Sequence, residues 1–337
     1  DYFSKHPSIE ITKNGRLGAS PSLLAPYFCE DSFFLDADYC IIDLCVIDQV
    51  MNWAHAVDLY SIAQWLEWLV HQARFAGCQP VFLMIPHEAS ITNYSPVLHL
   101  YRSIAQQQEC YFLDMAAIIK DDMEKTGNAA KHYYRDNNHP SPQTSKLIAD
   151  LLADFLLDTH NTFKSARKVT AFIRNFERVD ILPFASADAV VHRENSLMSM
   201  DFIRLEEGRA IEIPCGQIER IHGVMVNAAY SFRKLKIVGR NQVTKNLCIY
   251  KSNNASDFRA QLIPLLSPIR DFQGKISLSI AKNDEEVSEP TYQAQEPTNQ
   301  TPSIIEISGL VIERTPSMIN YTATIPPQKS IQPVEKR

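Results

Sequence analysis

Asp136 and His139 stand three residues apart in "YYRDNNHPSPQTSKLIADLLADF" (133–155), with Pro140 immediately after. A carboxylate and an imidazole at that spacing are parts of a proton relay. Imidazole is the usual base near neutral pH. A carboxylate beside it can hold the Nδ1 proton and stabilise the imidazolium that forms during acyl transfer. Pro140 restricts His139 to an extended backbone, which turns its ring away from the following helix. The same residues also suit a solvated polar turn with a capping His, and spacing alone does not separate the two readings. His87 in "MIPHEAS" is a second candidate, as a substrate contact or a plain turn residue, with Glu88 weaker beside it. Trp53 and His55 could wall a pocket. Trp65 and Trp68 lie at helical spacing and read as core.

The elements that must position these residues alternate in type. "SIEIT" (8–12) is short and β-branched. "YCIIDLCVI" (39–47) and "PVFLMIP" (80–86) are apolar runs expected of strands buried on both faces. "SIAQWLEWLVHQARFAG" (61–77) carries a helical apolar stripe and stops on Gly77. "PVLHLYRSIAQQQE" (96–109) is a helix with Pro96 in its first turn. "CYFLDMAAIIKDDMEKTG" (110–127) begins as a strand and turns helical. "SPQTSKLIADLLADFLLDTH" (141–160) is an amphipathic helix with Ser141 as N-cap and Pro142 next. This order predicts an α/β domain with a parallel sheet over residues 1–160. Ligands of such sheets bind outside the carboxyl ends of the strands, where the loops carrying Gly18, Asp48, His87 and Asp136 should gather.

From about residue 195 the texture changes. "SMDFIRLEE", "RAIEIP", "GVMVNA", "RKLKIVG", "NLCIYKS", "AQLIPLL", "KISLSIA" and "IIEISGLVIER" are short runs divided by polar turns. They predict an antiparallel β-sandwich over 195–315. Residues 161–194 read as a connector and 316–337 as a loose tail. "NDEEVSEPTYQAQEPTNQTPS" (283–303) reads as a long polar loop. The locally basic "RKLKIVGRNQVTK" (233–245) reads as a solvated sheet face.

Composition excludes several function classes. The 337 residues are 45% hydrophobic and 21% charged, ordinary for a globular protein of two domains. A net charge of −6 argues against a nucleic-acid surface. No run reaches the roughly 18 apolar residues of a membrane span. Gly is sparse, at 10, and neither GxGxxG nor GxxxxGK[ST] occurs, so no nucleotide cofactor is expected. The seven Cys (29, 40, 45, 78, 110, 215, 248) include no CxxC, and the ten His form no HxxxH pair. No structural metal is expected. The odd Cys count, with several in apolar runs, favours free thiols and a reducing, cytoplasmic compartment. The chain starts Asp-Tyr-Phe-Ser, so a fragment or processed form is expected and an exported form stays open. Oligomeric state is not legible.

The stretch "YYRDNNHPSPQTSKLIADLLADFLL", preceded by "CYFLDMAAII", resembles the last sequence block of the SGNH/GDSL hydrolase family. "NGRLGASPSLL" (14–24) is similar to the family's second block, and "YCIIDLCVIDQ" to the strand that carries its third, G-x-N-D. Together these cover residues 8 to 160. The resemblance implies an α/β/α fold and serine ester hydrolysis or O-acyl transfer without cofactor. It implies His139 as base, Asp136 as its partner, and the Gly18 N–H as oxyanion donor. Asp48 takes the last position of the third block, on the rim.

Two departures stand out. The Gly and Asn of G-x-N-D are Cys45 and Ile47 here, and Ile47 has no donor to offer an oxyanion. A missing donor of that kind costs about 10²–10³ in rate. The first block, G-D-S with the nucleophile, is not found; its place in the family order lies before Asp1. Ser20, in "GAS", is the local substitute nucleophile. The expectation is therefore an esterase or acyltransferase acting on an acylated glycan or other small ester. The competing expectation is a degenerate member of that fold kept for carbohydrate binding or assembly.

Overall fold

The structure is a computed structural model. It describes residues 10, 22–28, 34, 37–160, 166–194, 199–214, 216, 218–249, 258–267, 269–298 and 302–324. Gly18, Ser20 and most of the expected strand at 8–12 lie outside the described residues. The chain forms an α/β unit followed by an antiparallel β-sandwich. No described helix is long and apolar enough to cross a membrane.

In the first unit β1 (Tyr39–Ile42), β2 (Gln79–Met84) and β3 (Tyr111–Asp114) are parallel, in the order β1-β2-β3. Every residue of central β2 is buried, as the apolar run Pro80–Met84 requires, and Gln79 is buried with it. A short helix α1 (Leu24–Phe28) precedes the sheet. The apolar run at 39–47 is divided: the strand ends at Ile42, and α2 spans Cys45–Trp53. Short apolar runs fit either element. Beyond Asp43 the buried positions are Cys45, Asp48, Gln49 and Met51, a helical spacing that the strand reading missed.

The other helices start on their sequence caps. Asp58 accepts from Ser61 N–H (2.6 Å) to open α3 (Leu59–Phe75), and Ser95 opens α4 (Pro96–Gln107). Asp114 opens α5 (Met115–Thr126). The Ser141 hydroxyl accepts from Thr144 N–H (3.3 Å) at the start of α6 (Pro142–His160).

The second unit has two sheets. One runs β10 (Gln242–Asn246), β9 (Lys234–Val238), β12 (Lys275–Ile280), β7 (Ala210–Pro214). The other runs β11 (Ala260–Pro264), β8 (Arg220–Asn227), β13 (Ile304–Thr324), β6 (Ser199–Glu206), β5 (Val190–Glu194), and β4 (Ala166–Asp180) also pairs with β13. The stretch 161–194 thus holds two strands where a connector was expected, and β13 runs on through residues 316–324 of the expected tail. Pro316 reads as a strand breaker. Here it falls at a register shift between Arg314 and Ser317, where the ribbon continues past a bulge. The fifth expected run is displaced as well: strand pairing covers Gln242–Asn246, and Leu247–Ile249 of "NLCIYKS" lie outside it.

The basic stretch 233–245 is covered at its two ends, while Arg240, Asn241 and Gln242 at its turn are exposed as a solvated face requires. Arg233, Lys234 and Lys245 are buried. The acidic loop after β12 folds over them: Glu285 meets Lys236 at 3.0 Å and Glu289 meets Lys245 at 3.2 Å. Glu289 also accepts the N–H groups of Leu266 and Ser267, so its charge is fully engaged.

One sheet serves two cores. On β8 and β13, Val224, Val226, Leu310 and Ile312 face the sandwich interior, with Leu235, Ile237 and Leu278 from the other sheet. The intervening Met225 and Val311 join Trp65, Leu66 and Trp68 of α3 in the core of the first unit. Period-two alternation therefore puts apolar groups on both faces. Helix α3 lies between this sheet and β2. Trp65 N–H donates to His222 Nδ1 (3.1 Å), and His222 Nε2–H donates to Glu313 (2.8 Å), which also pairs with Arg174.

Helix α1 docks on the same sheet. A Cβ on Gly223 would stand 2.5 Å from Leu23, and one on Gly309 would stand 2.9 Å from the Val179 carbonyl and 3.0 Å from the Tyr27 hydroxyl. Tyr27 also bonds Ser308 (2.9 Å).

Candidate functional site

The turn 134–140 is closed by its own backbone. Tyr134 and Pro140 bridge, and Arg135 N–H donates to the His139 carbonyl at 2.8 Å. The Asp136 carboxylate accepts the N–H groups of Asn138 (3.0 Å) and His139 (2.9 Å), the local habit of an Asp in a turn. It also faces His139 Nδ1 at 2.7 Å. The Asn138 N–H, then the His139 ring, hold Asp136 down at about 2. It is therefore an ionised acceptor and Nδ1 carries a proton; in the neutral imidazole Nε2 then keeps its lone pair. No described side chain bonds Nε2. The His139 side chain is 62% exposed and that of Asp136 50%, so the pair lies open at the surface.

Two bonds fix this turn to the carboxyl end of β2. The Tyr134 hydroxyl donates to the Pro86 carbonyl (2.7 Å), and Glu88 N–H donates to the Asn137 carbonyl (2.9 Å). His87 leads the same loop. Its Nδ1 accepts from Ala89 N–H (3.1 Å), which leaves the proton on Nε2. Its ring stands edge to face with Trp53, centroids 4.8 Å apart. Trp53 is 42% exposed at the end of α2.

Gln49, which the sequence reading passed over, organises the loop. Buried on α2, it accepts His87 N–H (2.7 Å) and donates to the hydroxyls of Ser90 (2.9 Å) and Ser95 (2.7 Å). Gln49 thereby ties α2 to the loop that follows β2, where Trp53 at the end of α2 stands against His87.

Asp48 is not available to a ligand. It is fully buried and accepts from Ser22 N–H (2.8 Å) and the Tyr101 hydroxyl (2.6 Å). It anchors the segment after Gly18 and Ser20 to α4, which replaces the expected rim contact. Burial pushes its carboxyl up to about 6, against the pull of those bonds. Ile47 beside it is half-buried against apolar neighbours. Buried Cys45 has its thiol pushed well up by burial and is no nucleophile.

Asp43 was also missed. It follows β1 directly, at the carboxyl end of the strand, and keeps accessible surface while protein atoms crowd its carboxyl. That crowding raises it to about 7. A carboxylate closing an apolar strand run was the available signal. Asp114, at the end of β3, is paired with Arg102 at 2.6 Å.

No family model matches the sequence, and no curated protein does. Among solved structures, two of a two-domain esterase (CEX) active on acetylated mannans are similar. The one co-crystallised with mannopentaose has a TM-score of 0.48 at 13% identity, covering 87% of this chain and 78% of that one. The other has 0.49 at 14% identity, covering 87% and 79%.

Proposed function

We propose that the first unit is a serine-type ester hydrolase or O-acyl transferase acting on an acylated glycan or another small ester. The observation that carries this reading is the Asp136–His139 pair, with Nδ1 held at 2.7 Å and Nε2 bonded by no described side chain, stitched to the loop at the carboxyl end of a parallel strand. Nε2 takes the proton of a serine hydroxyl, for which Ser20 is the candidate in this chain. The serine oxygen attacks the ester carbonyl, and the Gly18 N–H receives the negative charge of the tetrahedral species. The imidazolium, stabilised by ionised Asp136, then protonates the departing alkoxide. Water completes hydrolysis, or an acceptor hydroxyl completes transfer. The exposed Trp53 ring beside His87 supports a sugar in the substrate.

The test is p-nitrophenyl acetate turnover by the wild type and by His139→Ala. The expected loss in kcat/KM is about 10³-fold. Equal rates overturn the reading. A second reading, a fold kept for carbohydrate binding or assembly, is favoured by Ile47, which packs inward and offers no donor at the rim. A wild type with no turnover above buffer selects it.

A further inference from the structure

A second constellation lies on the sandwich, far in sequence from the His139 turn. On the β5–β6 hairpin, His192 pairs in register with Asp201, and Glu194 with Ser199. Ser199 and Asp201 are two apart on one strand, so they share a face, and His192 opposite Asp201 joins them there. His192 Nδ1 is 2.7 Å from Asp201 Oδ1, and Ser199 Oγ is 3.1 Å from His192 Nε2. Asp201, when ionised, can only accept. The proton then sits on Nδ1, and Nε2 accepts from the Ser199 hydroxyl. This is the connectivity of an activated serine: nucleophile to base, base to orienting carboxylate. All three residues are exposed. The strand ladder holds them, with neighbouring Arg193 tied to Glu306 at 2.6 Å.

We propose that Ser199 is a second nucleophilic site, which takes acyl groups from small activated esters through His192 and Asp201. It is independent of the reading given for His139. In the step, the Ser199 Oγ–carbonyl bond forms and the ester C–O bond breaks. The serine proton passes through His192 Nε2 to the leaving alkoxide. Water, deprotonated by the same nitrogen, returns the serine and releases the acid. The open face sets the substrate class: a small ester or phosphonate whose carbonyl or phosphorus needs no enclosing pocket.

The experiment is labelling of the full chain with a fluorophosphonate, followed by peptide mapping with fragmentation that separates Ser199 from Ser196. The expected result is phosphonylation of Ser199 at a rate at least ten-fold above that in His192→Gln, and a smaller decrease in Asp201→Asn. Circular dichroism confirms that each variant is folded; these exposed positions make that the expected outcome. No label on Ser199, or equal labelling in His192→Gln, overturns the proposal. So does labelling of Ser199 that is lost in His139→Ala and kept in His192→Gln. Label on Ser20 that depends on His139 reports on the other site, so the two readings fail separately.

Discussion

Asp48 shows how a single carboxylate can work against the fold that contains it. Its folded-state value of about 6 lies above the ordinary 3.8, so the ionised form is disfavoured inside. The resulting cost is absent below about pH 4 and complete above pH 6. Asp48→Asn keeps an acceptor for Ser22 N–H and removes the charge. It is expected to raise unfolding stability by about 3 kcal/mol at pH 8 and by about half as much at pH 5. Urea denaturation at the two pH values reads this directly, and a gain that does not shrink on acidification rejects it. The contrast with Asp136 explains what could be read beforehand. Asp136 and His139 lie within one turn, so the sequence shows them as neighbours. The partners of Asp48 are 26 and 53 positions away, and nothing local marks it as buried. The Ser199 arrangement was hidden for a related reason. Alternation marks Ser199 and Asp201 as surface, but His192 becomes their neighbour only through hairpin register.

Among the elements, the glycines of β8 and β13 decide where α1 can sit. Gly309 faces backbone, the Val179 carbonyl, as well as Tyr27, so an added methyl has no flexible neighbour to displace on that side. Gly309→Ala is expected to cost about 1–3 kcal/mol by overpacking. The denaturation midpoint should fall with the m-value unchanged, and an unchanged midpoint would show that α1 shifts freely. Helices α3 to α6 were legible, because each carries a capping side chain and a periodic stripe; α2, with Leu44 at its N-cap and no capping side chain, was not. Strands were legible where both faces or alternate faces are apolar. The failures have physical causes. An apolar run of nine residues fits a strand or a short strand plus helix, and β4, "ARKVTAFIRNFERVD", carries its charges for partners on distant elements, such as Glu313 for Arg174.

For the molecule as a whole, the contact between the units turns on a neutral imidazole. His222 is fully buried, accepts from Trp65 and donates to Glu313; Arg220 and Arg174 also face it, with Phe176 against its ring. Burial lowers its value below the ordinary 6.5. Its contribution to stability is therefore complete above pH 6.5 and is lost as pH falls toward the folded value. His71, on α3 against Tyr321, is lowered to about 4 by burial and acts in the same direction. Asp43 and Asp48 act in the opposite direction, so the informative quantity is a difference between proteins. Wild type is expected to lose more stability than His222→Gln between pH 7 and pH 5, measured by guanidinium unfolding. Parallel pH profiles would remove His222 from this role.

The long β13 strand also bears on how the chain matures. It pairs with β4, β6 and β8, and its inner face completes the packing beneath α3. On a ribosome, α3 would emerge more than two hundred residues before that strand. Its tryptophan-bearing side would wait without a permanent cover, a situation in which nascent chains recruit chaperones. Closure over so long a separation is slow, so yield in a heterologous host should depend on how fast translation reaches residue 324.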